Sequence, residues 1–250
     1  MKRRGILFGL NYEKTPIRLN GCINDVKNMC SYLEKTWKIP CQIFTDENPS
    51  DKNTTSQGII MKLYEMAILS YKENLDLVWI HYSGHGSYIQ DKNGDEKDGK
   101  DECIVPSDYR TSGLISDDVI KSLFNFFNPK TKIIAIFDCC HSGTIADLKF
   151  SWENQKLQIE NLWCNSPCKV ILLSGCLDDQ QSIEAYNIKE QKYCGVMTTM
   201  LINILSSKPH LCKDIFAIVD DLRNELRKFN FTQIPKLTST YNLLKDRILI

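Results

Sequence analysis

Lys132-Ile133-Ile134-Ala135-Ile136-Phe137-Asp138-Cys139-Cys140-His141-Ser142-Gly143 runs from an unbroken apolar stretch into an acid, two thiols, a histidine and a glycine. The apolar part is short and rich in β-branched residues, the pattern of a buried strand. Gly143 is the first residue that can turn the chain sharply at low steric cost. In a parallel sheet, chemistry gathers at the carboxyl ends of the strands. A thiol at such an end is held on a rigid element and presented to solvent, which makes Cys140 the candidate nucleophile.

Outward from this stretch, residues 5–10, 40–45, 76–82 and 169–174 read as further strands. Between them lie segments with helical periodicity. Residues 25–35 carry Val26, Met29, Cys30 and Leu33; residues 54–70 carry Ile59, Ile60, Leu63, Met66, Ala67 and Leu69 after a start suited to N-capping. Residues 116–127, 195–206 and 215–229 read as helices too, the first opening on Asp117 and Asp118, where acids favour the helix dipole. Residues 103–106 form a short apolar segment. Residues 144–166 are polar and are expected to contain an exposed connecting loop. Residues 238–250 would add a last strand or pack along an edge. Strands alternating with helices predict an α/β fold with a mostly parallel central sheet and helices on both faces.

Composition narrows the function. The chain has 250 residues, enough to bury a full core. Lys plus Arg and Asp plus Glu both number 31, so bulk charge does not hold it to nucleic acid or a membrane surface. No apolar run is long enough to predict a membrane span. Residues 1–10 read as basic residues followed by a first strand rather than as a secretory peptide. The 11 cysteines are scattered and odd in number, which points to reduced thiols in an intracellular, cytoplasmic protein. Cys164 and Cys168 lack the second pair that a structural zinc site needs.

A thiol becomes a nucleophile when partly ionised, and a neighbouring histidine can accept or deliver the proton. Of the four histidines, His81 lies on a strand, His141 points away from the face Cys140 uses, and His210 sits in an unmarked loop. His85 remains, flanked by Gly84 and Gly86 at another strand end, and is the candidate acid/base. The Gly86 N–H is placed to help hold an oxyanion. Asp138 lies two residues before Cys140 and on the same side. It either favours a basic substrate group or serves as a helix cap or turn acceptor. Residues 91–102 hold six acids against three lysines. They partly copy an EF-hand loop, but Glu96 stands where glycine is needed, so this reading is rejected. A hard-cation site and a solvated acidic loop both remain open.

His81-Tyr-Ser-Gly-His-Gly86 and Asp138-Cys-Cys-His-Ser-Gly143 resemble the two catalytic blocks of the metacaspases, caspase-like cysteine peptidases. Residues 21–26, 95–102, 174–180 and 233–237 resemble further blocks in family order. The resemblance implies a caspase-like three-layer sandwich over residues 1–250. Its larger part would cover about 1–150 and its smaller part about 169–250, joined by a linker over about 151–168. It implies a His85/Cys140 dyad and cleavage of polypeptides after Arg or Lys. It implies an acidic substrate pocket from Asp25 and Asp138, lined by Cys22 and Ser83. It implies calcium activation through Asp101, Asp117, Asp118 and Asp147, and a monomer by family analogy. The chain resembles a compact type I-like form without a prodomain. Autoprocessing, where it occurs, has Lys149, Lys156, Lys189 and Lys192 as candidate positions. Two rivals are a catalytically silent caspase-like interaction protein and a calcium-independent, paracaspase-like peptidase.

Overall fold

The computed structural model describes residues 1–91, 99–139, 145–153, 155–161, 164, 166–175, 184–187 and 192–250. In chain order its strands are β1 (Arg3–Gly9), β2 (Cys41–Thr45), β3 (Leu77–Ser83), β4 (Gly86–Gln90), β5 (Lys100–Ile104), β6 (Ile115–Ser116), β7 (Lys132–Asp138), β8 (Phe150–Glu153), β9 (Lys156–Ile159), β10 (Lys169–Ser174), β11 (Glu184–Asn187), β12 (Lys192–Gly195) and β13 (Lys236–Ser239). The helices are α1 (Cys22–Tyr32), α2 (Ser56–Lys72), α3 (Tyr109–Ser112), α4 (Asp117–Asn125), α5 (Val196–Ser207) and α6 (Ile215–Lys228).

The main sheet has the order β2-β1-β3-β7-β10-β13-β8-β9. Its first five strands pair in parallel; β13, β8 and β9 close one edge antiparallel. Strand alternation sends side chains to two cores. Ile6, Phe8, Val78, Ile80 and Ile133 meet α2 and α4 on one face. Leu7, Trp79, Ile134, Ile136 and Ile171 meet α1, α5 and α6 on the other. The predicted sandwich of helix, sheet and helix is therefore present.

Local chemistry fixes the helix starts. The Thr55 hydroxyl accepts from the Gly58 N–H at 3.1 Å, and Asp214 accepts from the Phe216 N–H at 3.0 Å. Each satisfies an amide that the helix leaves over.

Three features differ from the sequence reading. Residues 150–153 and 156–159, read as part of a connecting loop, form the β8–β9 hairpin; Phe150, Trp152, Leu157 and Ile159 alternate with polar residues, but each run is only four residues long and Lys156 to Ile159 are exposed, so the signal is short. The final strand is β13, four residues long, and the remaining tail returns Leu243 and Leu249 to the core. A separate antiparallel sheet, β4-β5-β6, lies beyond β3 and carries the acidic segment; its residues 92–98 lie outside the described part.

Candidate active site

β3 and β7 are parallel neighbours, and Ser83 is the register partner of Asp138. Both ends face the same edge of the sheet, one strand from the point where the chain reverses from β1–β2 to β1–β3. The Gly84 N–H approaches Asp138 O at 3.4 Å, so the two exits leave side by side. One leads to His85. The other leads through Cys139 to Cys140, which lies outside the described residues, as does His141.

His85 is half-buried and held on three sides. Its Nε2 lies 2.7 Å from Ile17 O. A carbonyl only accepts, so Nε2 carries the proton and Nδ1 is left as the basic nitrogen of the neutral ring. Its ring packs on Tyr12, centroids 5.0 Å apart. Its backbone N–H donates to the Tyr12 hydroxyl at 3.1 Å, and its carbonyl accepts from the Tyr82 hydroxyl at 2.8 Å. Val105 N–H also donates to His85 O at 3.1 Å. Gly86 and Ile104 consequently face each other as a non-hydrogen-bonded pair, and the Gly86 N–H points away from β5.

The pocket residues converge from three elements. Asp25 lies one turn into α1, on the same face as Cys22; both are buried. The Ser83 hydroxyl donates to Asp25 Oδ2 at 2.7 Å, and the Gly195 N–H donates to Asp25 Oδ1 at 2.7 Å. Asp138 Oδ2 accepts from the Thr198 N–H at 3.0 Å and the Thr198 hydroxyl at 2.7 Å. Thr198 is the third residue of α5, so Asp138 at the end of β7 caps that helix, which packs on the same face of the sheet. His81, one turn of the pleat below, lies 3.3 Å from the Thr198 hydroxyl; burial lowers its pKa to about 3 and keeps it neutral.

The acidic residues assemble differently. Asp117 is buried at the start of α4 and accepts from the Glu102 N–H at 3.0 Å and the Asp118 N–H at 2.8 Å. Burial, then the charge of Asp147, raise its pKa to about 9. Asp147 pairs with Lys121 at 3.2 Å. Asp101 is buried on β5. Among the described residues no three carboxylate, thiol or imidazole groups stand at metal-ligand spacing. The donor type still fits a hard cation: the acids are all oxygen donors, and Asp117 is pressed toward neutrality by burial and then by like charge, the second of which a cation would relieve.

Four residues that touch these groups have no mark in the sequence. Ile17 acts through a carbonyl, which every residue has. Tyr12 follows β1 with no pattern around it. Gly195 stands at a helix start, where glycine is common. Thr198 was legible only as a residue of the first turn of a helix.

An α/β sandwich with a histidine ending one strand and an acid-thiol stretch ending its neighbour defines a caspase-like peptidase fold. The family model described as metacaspase, peptidase C14 domain, matches residues 3–149. Metacaspase-1 of Ajellomyces capsulatus is 38% identical over 304 aligned residues, covering 100% of this chain and 83% of the relative. Metacaspase-1A of Aspergillus oryzae is 37% identical, covering 96% of this chain and 68% of the relative. Metacaspase-2 of Arabidopsis thaliana is 34% identical, covering 82% and 52%. The chain spans 66% of the length of Metacaspase-1B of Aspergillus niger. A solved structure of a Geobacter sulfurreducens protein shares the fold, with a TM-score of 0.67, 21% identity, and coverage of 96% of this chain and 93% of that one. The chain belongs to the metacaspase family of caspase-like cysteine peptidases. Among the described residues no helix is long and apolar enough to cross a membrane, and the nine described cysteines are all unbridged.

Proposed function

We propose that this chain is a cysteine endopeptidase that cleaves polypeptides after Arg or Lys and is activated by calcium. The observation that carries the specificity is the convergence of Asp25 and Asp138, both buried, on Gly195 beside the exits of β3 and β7. Two carboxylates at the base of a pocket attract a guanidinium or ammonium and repel an acidic side chain.

The chemistry follows from the imidazole geometry. Cys140 gives its thiol proton to His85 Nδ1, while Ile17 O holds the Nε2 proton in place. The thiolate attacks the scissile carbonyl carbon, and the carbonyl oxygen takes the negative charge against the Gly86 N–H. The C–N bond then breaks, and His85 returns its proton to the leaving amine. An acyl-enzyme remains. His85 next takes a proton from water, the hydroxide displaces the thiolate at the acyl carbon, His85 returns that proton to the Cys140 sulfur, and the carboxylic acid product leaves.

Asp101, Asp117, Asp118 and Asp147 are the residues that would hold calcium. Bound there, it would supply charge neutralisation to the loops that follow β5 and Cys140. The reading of a calcium-independent peptidase draws support from Lys121, which already sets an ammonium against Asp147. Turnover of fluorogenic peptides ending in Arg, Lys or Asp, with calcium titrated, tests the reading. Arg and Lys cleavage that rises with calcium is expected; cleavage after Asp, or none with the fold intact, overturns it. Cytoplasmic, monomeric behaviour is part of the same proposal, to be checked by fractionation and light scattering.

A further inference from the structure

Tyr12 stands just past β1 with φ of 51°, in the left-handed region that non-glycine residues enter at a cost. Asp46 secures this conformation: its two carboxylate oxygens accept from the Asn11 N–H at 2.8 Å and the Tyr12 N–H at 2.7 Å. The result drives the Tyr12 side chain inward beneath His85, where it is buried.

There it meets a second buried tyrosine. The hydroxyls of Tyr12 and Tyr82 are 3.0 Å apart. Each has one proton to give. Tyr12 gives its proton to Val105 O at 2.6 Å and accepts from the His85 N–H. Tyr82 accepts from the Val105 N–H at 3.2 Å and gives its proton to His85 O. Both peptide groups that flank the His85 Cα are therefore fixed by phenolic hydroxyls, and the Tyr12 ring backs the imidazole. Gly84 permits the approach: a Cβ there would stand 2.6 Å from the Tyr82 hydroxyl oxygen and 2.9 Å from that of Tyr12. The loop that starts at Tyr12 also brings Ile17 O to Nε2, closed by Leu19 N–H on Asn11 O at 2.8 Å.

We infer that Tyr12 is a positioning residue for His85, its hydroxyl fixing the backbone and its ring the plane of the imidazole. The inference rests on the reading of His85 as the acid/base. Positioning sets where Nδ1 lies relative to the thiol, so its loss slows chemistry without loosening substrate binding.

The test compares Tyr12→Phe, Tyr12→Leu and His85→Ala in the whole chain by kcat, KM and thermal unfolding. It adds a proton NMR titration of the His85 ring in a Cys140→Ala background, assigned with His85→Gln. Tyr12→Phe should lower kcat roughly ten-fold with KM unchanged, and Tyr12→Leu roughly a hundred-fold. The His85 midpoint should move in both variants while the other histidines stay put. Unchanged kcat and an unchanged His85 titration in Tyr12→Phe would overturn the inference, as would a kcat loss fully explained by unfolding at the assay temperature. If the parent chain cleaves no peptide, the peptidase reading fails, and the titration alone still decides whether Tyr12 controls the His85 ring.

Discussion

Asp25 and Asp138 come from helix α1 and strand β7, yet one carboxylate oxygen of each lies 2.6 Å from where a Cβ on Gly195 would stand. Contacts that short do not occur for real Cβ atoms, and both carboxylates are buried, so neither can swing into water. Gly195→Ala should therefore spread the two acids or fill the space between them. The expected outcome is a roughly hundred-fold loss of kcat/KM on an Arg peptide, mostly in KM, with the fold retained by circular dichroism. Unchanged KM would mean that the substrate cation does not enter between these acids.

Asp138 caps α5 and, in the proposed function, attracts the substrate cation; a substitution can separate the two. Its Oδ2 accepts both Thr198 bonds at the start of α5. Asp138→Asn keeps an acceptor there and removes the charge. It should lower stability by only about 1 kcal/mol while reducing cleavage after Arg far more. Thr198→Val should do the reverse, losing stability with little change in Arg preference. Denaturant unfolding and kcat/KM on each variant check the pair.

His81 was legible as a packed strand histidine, and the structure buries it fully. Much else was legible in the same way. The strand ends at Ser83 and Asp138 could be read because β3 and β7 are dense apolar runs that stop at glycine and polar residues. The helix faces could be read from their apolar spacing. The β8–β9 hairpin and the β4-β5-β6 sheet could not, because strands of two to five residues are too short for a pattern to stand out, and β5 carries acids, Asp101 and Glu102, at buried positions. The contacts of His85 with Ile17 O and the Tyr12 hydroxyl were hidden for a different reason: they join residues 68 and 73 positions apart, and each uses a backbone atom on one side. Only tertiary folding decides such pairings.

The His81 burial has a pH consequence. Its folded pKa of about 3 lies below the ordinary value of 6.5, because burial disfavours the charged ring. The unfolded chain then binds a proton that the folded chain refuses, so this residue's contribution to stability is complete above 6.5 and declines as pH falls toward 3. The slope it adds is at most about 1.4 kcal/mol per pH unit. His81→Asn should flatten the acid side of a stability-versus-pH curve from urea unfolding. An unchanged curve would show that His81 does not govern it.

Lys121 supplies the ammonium beside Asp147, and Asp117 is held near neutrality first by burial and then by the charge of Asp147. Lys121→Gln should lower the melting temperature without calcium and strengthen calcium binding by roughly ten-fold, read by calorimetry on a Cys140→Ala background. Weaker calcium binding would mean that Lys121 supports the site rather than competing for it.

Cys139 lies in the core with Phe137 on the face away from Asp138, fully buried. Cys139→Ala should cost about 1 kcal/mol of stability and leave kcat within about two-fold. A large loss of activity in a folded variant would contradict the assignment of chemistry to its neighbour.

In the proposed function Cys140 is the attacking thiol and the carboxylates of Asp25 and Asp138 select a basic residue. Intact mass and peptide mapping after reaction with a peptidyl-arginine chloromethyl ketone test this directly. One adduct on Cys140 is expected, formed much more slowly in His85→Ala and not formed by the matching aspartyl reagent. An adduct on another of the 11 cysteines, or equal labelling by the aspartyl reagent, would contradict the account.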